Sequence, residues 1–178
     1  MSKAVLISIR PKWVAKIASG EKTIEVRKSA PKLETPFKCY IYCTFPQKPF
    51  YTLWLNRGTD NRFLADGKVV GEFVCDEILT IDCDSVAPFC KEWDRYVDKE
   101  TCLTAKELFA YSSNICYGWH ISDLKIYDKP KELSEFRKPC DMFLDCINCC
   151  RGRLGDLSCK GQIEQPPQSW VYVEELKQ

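Results

Sequence analysis

An α+β domain is what the sequence predicts: a mixed, mostly antiparallel β-barrel of about six strands flanked by helices. Three observations predict it. Short alternating runs recur along the chain, at 22–28, 39–43, 68–76, 117–127 and 170–176. Helical signals are few and short. The last alternating run closes the chain, so a C-terminal strand returns to the barrel.

The N-terminal stretch from Ala4 to Lys28 organises the rest. Val5 to Ile9 is a β-branched apolar run and reads as a strand. Pro11 suits the first turn of a helix, where its missing N–H costs nothing. Val14, Ile17 and Ala18 give that helix its apolar stripe, and Gly20 stops it by tolerating a left-handed cap. A second strand follows over Lys22 to Lys28. Ile24 and Val26 face one way; Thr23, Glu25 and Arg27 face the other. Several polar side chains thus converge near a helix end. This arrangement suits a polar, planar ligand, or proton transfer on one.

In chain order, Cys39, Ile41 and Cys43 share one face of a strand and read as buried small hydrophobes. Tyr40 and Tyr42 sit opposite, and packing is a more frequent role for strand aromatics than base stacking. Residues 45–68 form an excursion broken by Pro46, Pro49, Gly58 and Gly67. Its aromatics Phe45, Phe50, Tyr51, Trp54 and Phe63 alternate with Lys48, Arg57, Arg62 and Lys68. That mixture suits single-stranded nucleic acid, and equally a hairpin whose aromatics cover the barrel. A strand over Lys68 to Asp76 should place Cys75 on one face with Val69, Gly71 and Phe73. Residues 82–115 read as an acidic helical insertion, with Thr104 and Glu107 as a capping box. Tyr117 to Tyr127 is the longest strand signal and carries His120, the chain's one histidine. His120 reads as a general base near Lys22 or as a hydrogen-bonded structural residue, the second being preferred. Pro166 and Pro167 fix the entry to the last strand and present Gln168 and Ser169 beside Trp170.

Five of the twelve cysteines cluster in residues 137–162, an insertion within the single domain that spans 1–178. Cys146 and Cys149 have the spacing of a metal knuckle, with Cys140 and Cys159 completing a four-thiolate set and Cys150 as the alternate. The segment has little aliphatic material, so a structural Zn²⁺ is expected to hold it together. Loose thiols, or disulfides formed after purification, are the alternative. No apolar run is long enough to cross a bilayer, and the N-terminus has no signal-peptide core, so a cytoplasmic protein without membrane contact is expected. The net charge of +1 conceals an asymmetry. Residues 1–71 hold 13 Lys/Arg against 5 Asp/Glu, and residues 72–123 hold 4 against 11. A basic portion fits a polyanionic partner, or it pairs with the acidic portion in the fold.

The strand, then Ser8-x-x-Pro11-Lys12-Trp13, then Gly20-x-Lys22-Thr23-x-Glu25-x-Arg27, resembles the signature of the ASCH domain, a branch of the PUA-like β-barrels. Tyr117 to Cys140 and Pro166 to Leu176 are similar to a subgroup of small bacterial and phage members. The resemblance implies a module that binds RNA or a modified nucleoside or nucleotide. Some small members hydrolyse acetylcytidine, and a few cut RNA. In the amidohydrolase members a lysine at the strand entry activates a threonine three residues on, with a glutamate assisting. Lys22 fills the lysine position, but three residues on stands Glu25. Glu100 or Glu107 would be the assisting carboxylate. The departure argues against that mechanism here. The leading expectation is therefore a binding cleft lined by Lys22, Glu25 and Arg27, with Trp13, Thr23, His120, Ser169 and Trp170 around it and Tyr117 and Trp119 as further aromatic candidates. A small hydrolase using Lys22 and Glu25 is the second expectation. A protein-interaction adaptor using the cysteine module is the third.

Overall fold

The first strand is apolar on both faces because both faces are covered. In the computed structural model, which describes residues 2–46, 52–56, 62–82, 99–112, 114–139 and 161–176, β1 (Lys3–Ile9) is buried from its second residue onward. Val5, Ile7 and Ile9 enter one core and Ala4 and Leu6 a second. Helix α1 (Pro11–Ala18) follows, with Pro11 in its first turn and Val14 and Ile17 buried. Gly20 then turns the chain with φ +77°, a conformation open to glycine. Next come β2 (Ile24–Arg27) and β3 (Phe37–Cys43). The α1–β2 crossover is what allows β1 and β3 to pair in parallel.

The remaining strands are antiparallel: β4 (Trp54–Asn56), β5 (Arg62–Leu64), β6 (Lys68–Cys75), β7 (Ile78–Asp82), β8 (Ile115–His120), β9 (Ser122–Lys131) and β10 (Trp170–Glu174). Helix α2 (Ala105–Tyr111) precedes β8 and carries the expected capping box of Thr104 and Glu107. A five-stranded sheet runs β10-β1-β3-β6-β9, a three-stranded sheet β2-β8-β7, and β4-β5 form a hairpin. The mixed, mostly antiparallel α+β architecture matches the sequence.

The closed barrel of about six strands does not. The two larger sheets enclose the main core around Ile7, Ile41, Phe73 and Trp119, but no ladder joins them among the described residues. Between β2 and β1 the link is a side chain: the Arg27 guanidinium donates to the Ser8 carbonyl at 2.7 Å. The 117–127 run is also two strands rather than one. At the corner the His120 N–H goes to the Glu77 carbonyl and the Ile121 N–H to the Thr23 carbonyl. Asp123 then adopts φ 46°, which aspartate tolerates better than most residues. The apolar phase shifts by one residue there, from Tyr117, Trp119 and Ile121 to Leu124 and Ile126, and that shift is the mark the corner leaves in the sequence.

Two further details differ from expectation. Register shifts against β3 and β9 put Val70, not Val69, on the Phe73 and Cys75 face; Val69 joins the second core with Tyr40 and Tyr42. Tyr40 and Tyr42 are packing residues, Tyr40 lying edge-on to Phe136 at 4.9 Å. The 45–68 excursion contains a hairpin, but the described aromatics Phe45 and Trp54 do not cover the core. Trp54 is 57% exposed and Phe45 70%, while Leu55 and Ala65 are buried.

Residues 139 and 161 are the near ends of the cysteine-rich segment. Arg137 and Gln162 bridge, and the Lys138 N–H meets the Gly161 carbonyl at 2.7 Å, so the chain leaves and returns side by side before β10 pairs with β1. Cys140, Cys146, Cys149, Cys150 and Cys159 lie outside the described residues, as do residues 47–51, 57–61 and 83–98. Among the described residues no helix is long and apolar enough to cross a membrane.

Candidate functional site

Strand β2 is buried along its whole length although two of its four residues are charged. Buried charges need partners, and they find them in each other. Glu25 Oε1 accepts from Arg27 Nη2 at 2.9 Å, and Glu25 Oε2 lies 3.4 Å from Lys22 Nζ. The Lys22 backbone N–H donates to the Lys16 carbonyl, pinning the turn after α1 to its last turn. The Lys22 ammonium donates to the Ile24 carbonyl at 2.7 Å and the Thr101 carbonyl at 2.6 Å. Thr101 is buried, and Cys102 after it stands at φ 55°, a left-handed conformation unusual for cysteine. The ammonium is 2% exposed, and burial pulls its pKa below the ordinary lysine value against the pull of Glu25.

The triad is not saturated. Glu25 Oε2 and Arg27 Nε are buried and have no hydrogen-bond partner. One is an acceptor and the other a donor. Both residues line a cleft of about 620 Å³. Trp13 forms one wall, with Lys22 Nζ 5.3 Å from its ring centroid. Tyr111 from α2 also lines it, with Lys28 Nζ 5.2 Å from its ring centroid. Ser8, Gln168 and Ser169 complete part of the rim. The Ser8 hydroxyl donates to the Pro167 carbonyl at 2.6 Å and its N–H to the Ser169 carbonyl at 2.9 Å, which holds the Pro-Pro turn against β1.

Other sequence candidates lie elsewhere. The Thr23 backbone bonds to Glu100 and Ile121, and Thr23 does not line the cleft. His120 pairs with Asp76, Nδ1 to Oδ1 at 2.7 Å, also away from the cleft lining. That hydrogen bond holds the Asp76 carboxyl below its usual value. Trp119 is fully buried in the core, edge-on to Phe37. Trp170 packs on Trp119 and Tyr172 and donates Nε1–H to the Ser29 hydroxyl at 3.2 Å. Tyr117 packs against the main core. Tyr111, Lys28 and the carbonyls of Ser8 and Thr101 were missed, since no local spacing connects them to Lys22. Of these, only Ser8 carried a signal, as the first residue of the N-terminal motif.

The fold has solved counterparts. The ASCH protein from Zymomonas mobilis superposes with a TM-score of 0.57 at 18% identity, over 97% of this chain and 88% of that one. A Tyr-to-Phe variant of it gives the same TM-score and identity over 98% and 92%. A Ser-to-Ala variant gives 0.57 at 19% identity, over 97% and 89%. The chain has the ASCH-domain fold. No protein-family model and no curated protein matches the sequence.

Within this ASCH fold one threonine among the described residues lines the cleft, Thr44, just after β3. Among the described lining residues the remaining carboxylate is Glu107. It is committed to the α2 cap: its Oε2 accepts from the Thr104 N–H at 2.9 Å and the Thr104 hydroxyl at 3.0 Å, bonds that lower its pKa. Glu100 meets Thr23 only through its backbone carbonyl.

The burial of Lys22 has a consequence for pH. Its folded pKa is lowered, so the unfolded chain binds the proton more readily. The penalty is complete below the folded value and disappears as pH rises toward 10.5. Wild type is therefore expected to gain stability relative to Lys22→Met between pH 7 and pH 10, about where lysine titrates. Paired urea denaturations at the two pH values check this; a constant difference contradicts it.

Proposed function

We propose that the cleft binds a nucleobase, presented by RNA or by a free or modified nucleoside. The observation that carries this reading is an acceptor and a donor without hydrogen-bond partners, Glu25 Oε2 and Arg27 Nε, buried beside an indole wall. A base edge offers the complement, an N–H next to a carbonyl or ring nitrogen, and its flat face suits Trp13. Two cations against one carboxylate leave the site net positive, which favours a ligand that also carries phosphate. The ASCH fold is consistent with the reading, since the resemblance implies RNA or nucleoside recognition.

Titration of the four ribonucleoside 5′-monophosphates at two salt concentrations tests it, with tryptophan fluorescence and product formation read together. Salt-sensitive binding of at least one nucleotide supports the reading. Saturable binding of none rejects it. Turnover abolished by Lys22→Ala would convert the binding module into a hydrolase.

The cysteine-rich segment is proposed to hold one structural zinc through Cys140, Cys146, Cys149 and Cys159. Metal analysis of protein purified under reducing conditions should find about one zinc per chain, as a four-thiolate site requires. The Cys146→Ser/Cys149→Ser variant should lose it. Zinc-free wild type contradicts the assignment.

A further inference from the structure

A groove of about 1020 Å³ lies on the other side of α1. It meets the nucleobase cleft at Arg10 and Thr44, which line both. Arg10, Lys12 and Lys16 are its basic side, with Lys16 partly balanced by Glu21 at 2.9 Å. Phe45 and Leu53 are its apolar side. Phe45 is 70% exposed, yet its ring is seated: a Cβ built on Gly67 would lie 2.4 Å from the Phe45 Cζ. Gly67, at φ +74°, leaves the space that the ring fills. One ring face therefore rests on backbone and the other is presented outward. The ring thus offers a stacking face beside cationic side chains suited to phosphate, the combination a single strand needs.

We propose that this groove is a second subsite for a single-stranded oligonucleotide whose neighbouring base occupies the cleft. The second base stacks on Phe45, and the phosphate joining the two nucleotides passes Arg10. The proposal rests on the nucleobase reading of the cleft and adds that the ligand is a strand rather than a free nucleoside. Stacking needs only a π-face, so this subsite accepts any base, and sequence choice belongs to Glu25 and Arg27.

The test titrates wild type, Phe45→Ala and Phe45→Trp with the tightest-binding ribonucleoside monophosphate and with the homohexanucleotide of the same base, at one salt concentration. The hexanucleotide is expected to bind wild type more tightly than the monophosphate. Phe45→Ala is expected to weaken the hexanucleotide about tenfold, as loss of one stacked base does, and Phe45→Trp to restore it. Monophosphate binding should be the same in all three proteins. A hexanucleotide that binds no tighter than the monophosphate overturns the second subsite, as does equal hexanucleotide binding by wild type and Phe45→Ala. Failure of the monophosphate itself would instead reject the nucleobase reading beneath it, and the strand with it.

Discussion

Glu25→Ala is expected to lower the free energy of unfolding by about 3–5 kcal/mol, the cost of breaking a buried ion pair from one side. Among the described residues Glu25 is the one carboxylate facing both Lys22 and Arg27, and all three side chains are nearly inaccessible to water. Its removal leaves two buried cations without a counter-ion. Arg27 keeps its bond to the Ser8 carbonyl and Lys22 its bonds to Ile24 and Thr101, so their hydrogen bonding survives in part. Carbonyl dipoles do not replace a full negative charge. Glu25→Gln should cost less than Glu25→Ala, because its amide oxygen still accepts from Arg27. Urea denaturation followed by circular dichroism measures both; a loss under about 1 kcal/mol for Glu25→Ala, the range of an exposed pair, would mean that the triad is hydrated in solution.

Arg27→Lys is expected to weaken nucleotide binding by about ten- to a hundredfold while retaining the positive charge, the scale of one lost base contact pair. Lysine offers no Nε–H in the plane of a guanidinium and cannot serve Glu25, Ser8 and a ligand with the same geometry. The effect should be larger on affinity than on its salt dependence, since the charge is conserved. Titration of the variant beside wild type checks this. Equal affinities would assign Arg27 to a purely electrostatic role.

The core of the site was legible because its three charged residues lie within six positions of one another, at a helix-to-strand turn whose punctuation is local. Pro11, Gly20 and the Ile24/Val26 alternation fix where Lys22, Glu25 and Arg27 point. What completes the site comes from distant chain. Tyr111 reaches it from α2, the Thr101 carbonyl from the segment before α2, and Gln168 and Ser169 from the loop before β10. No periodicity records those approaches. The aromatic wall was overestimated for a related reason: Trp13 and Trp119 look alike in sequence, but Trp119, opposite Glu25 in the β2–β8 pair, is wholly buried edge-on to Phe37, while Trp13 lines the cleft. The barrel was inferred from alternating runs, and reading 117–127 as one strand passed over the phase shift between Ile121 and Leu124 that marks its corner. His120, at that same corner, is hydrogen-bonded to Asp76, in line with the preferred structural reading rather than with a base near Lys22.

The recognition claim is tested most directly by changing the ligand rather than the protein. Wild type would be titrated with its tightest ribonucleoside monophosphate, and with that nucleotide methylated on the N–H groups of its Watson–Crick edge. A 2′-O-methyl analogue serves as the control for size. The Glu25 Oε2 and Arg27 Nε pair predicts that edge methylation weakens binding about tenfold or more, while ribose methylation has little effect. Equal affinity for the parent and the edge-methylated nucleotide would contradict it, because the buried acceptor and donor would then be reading something other than a base.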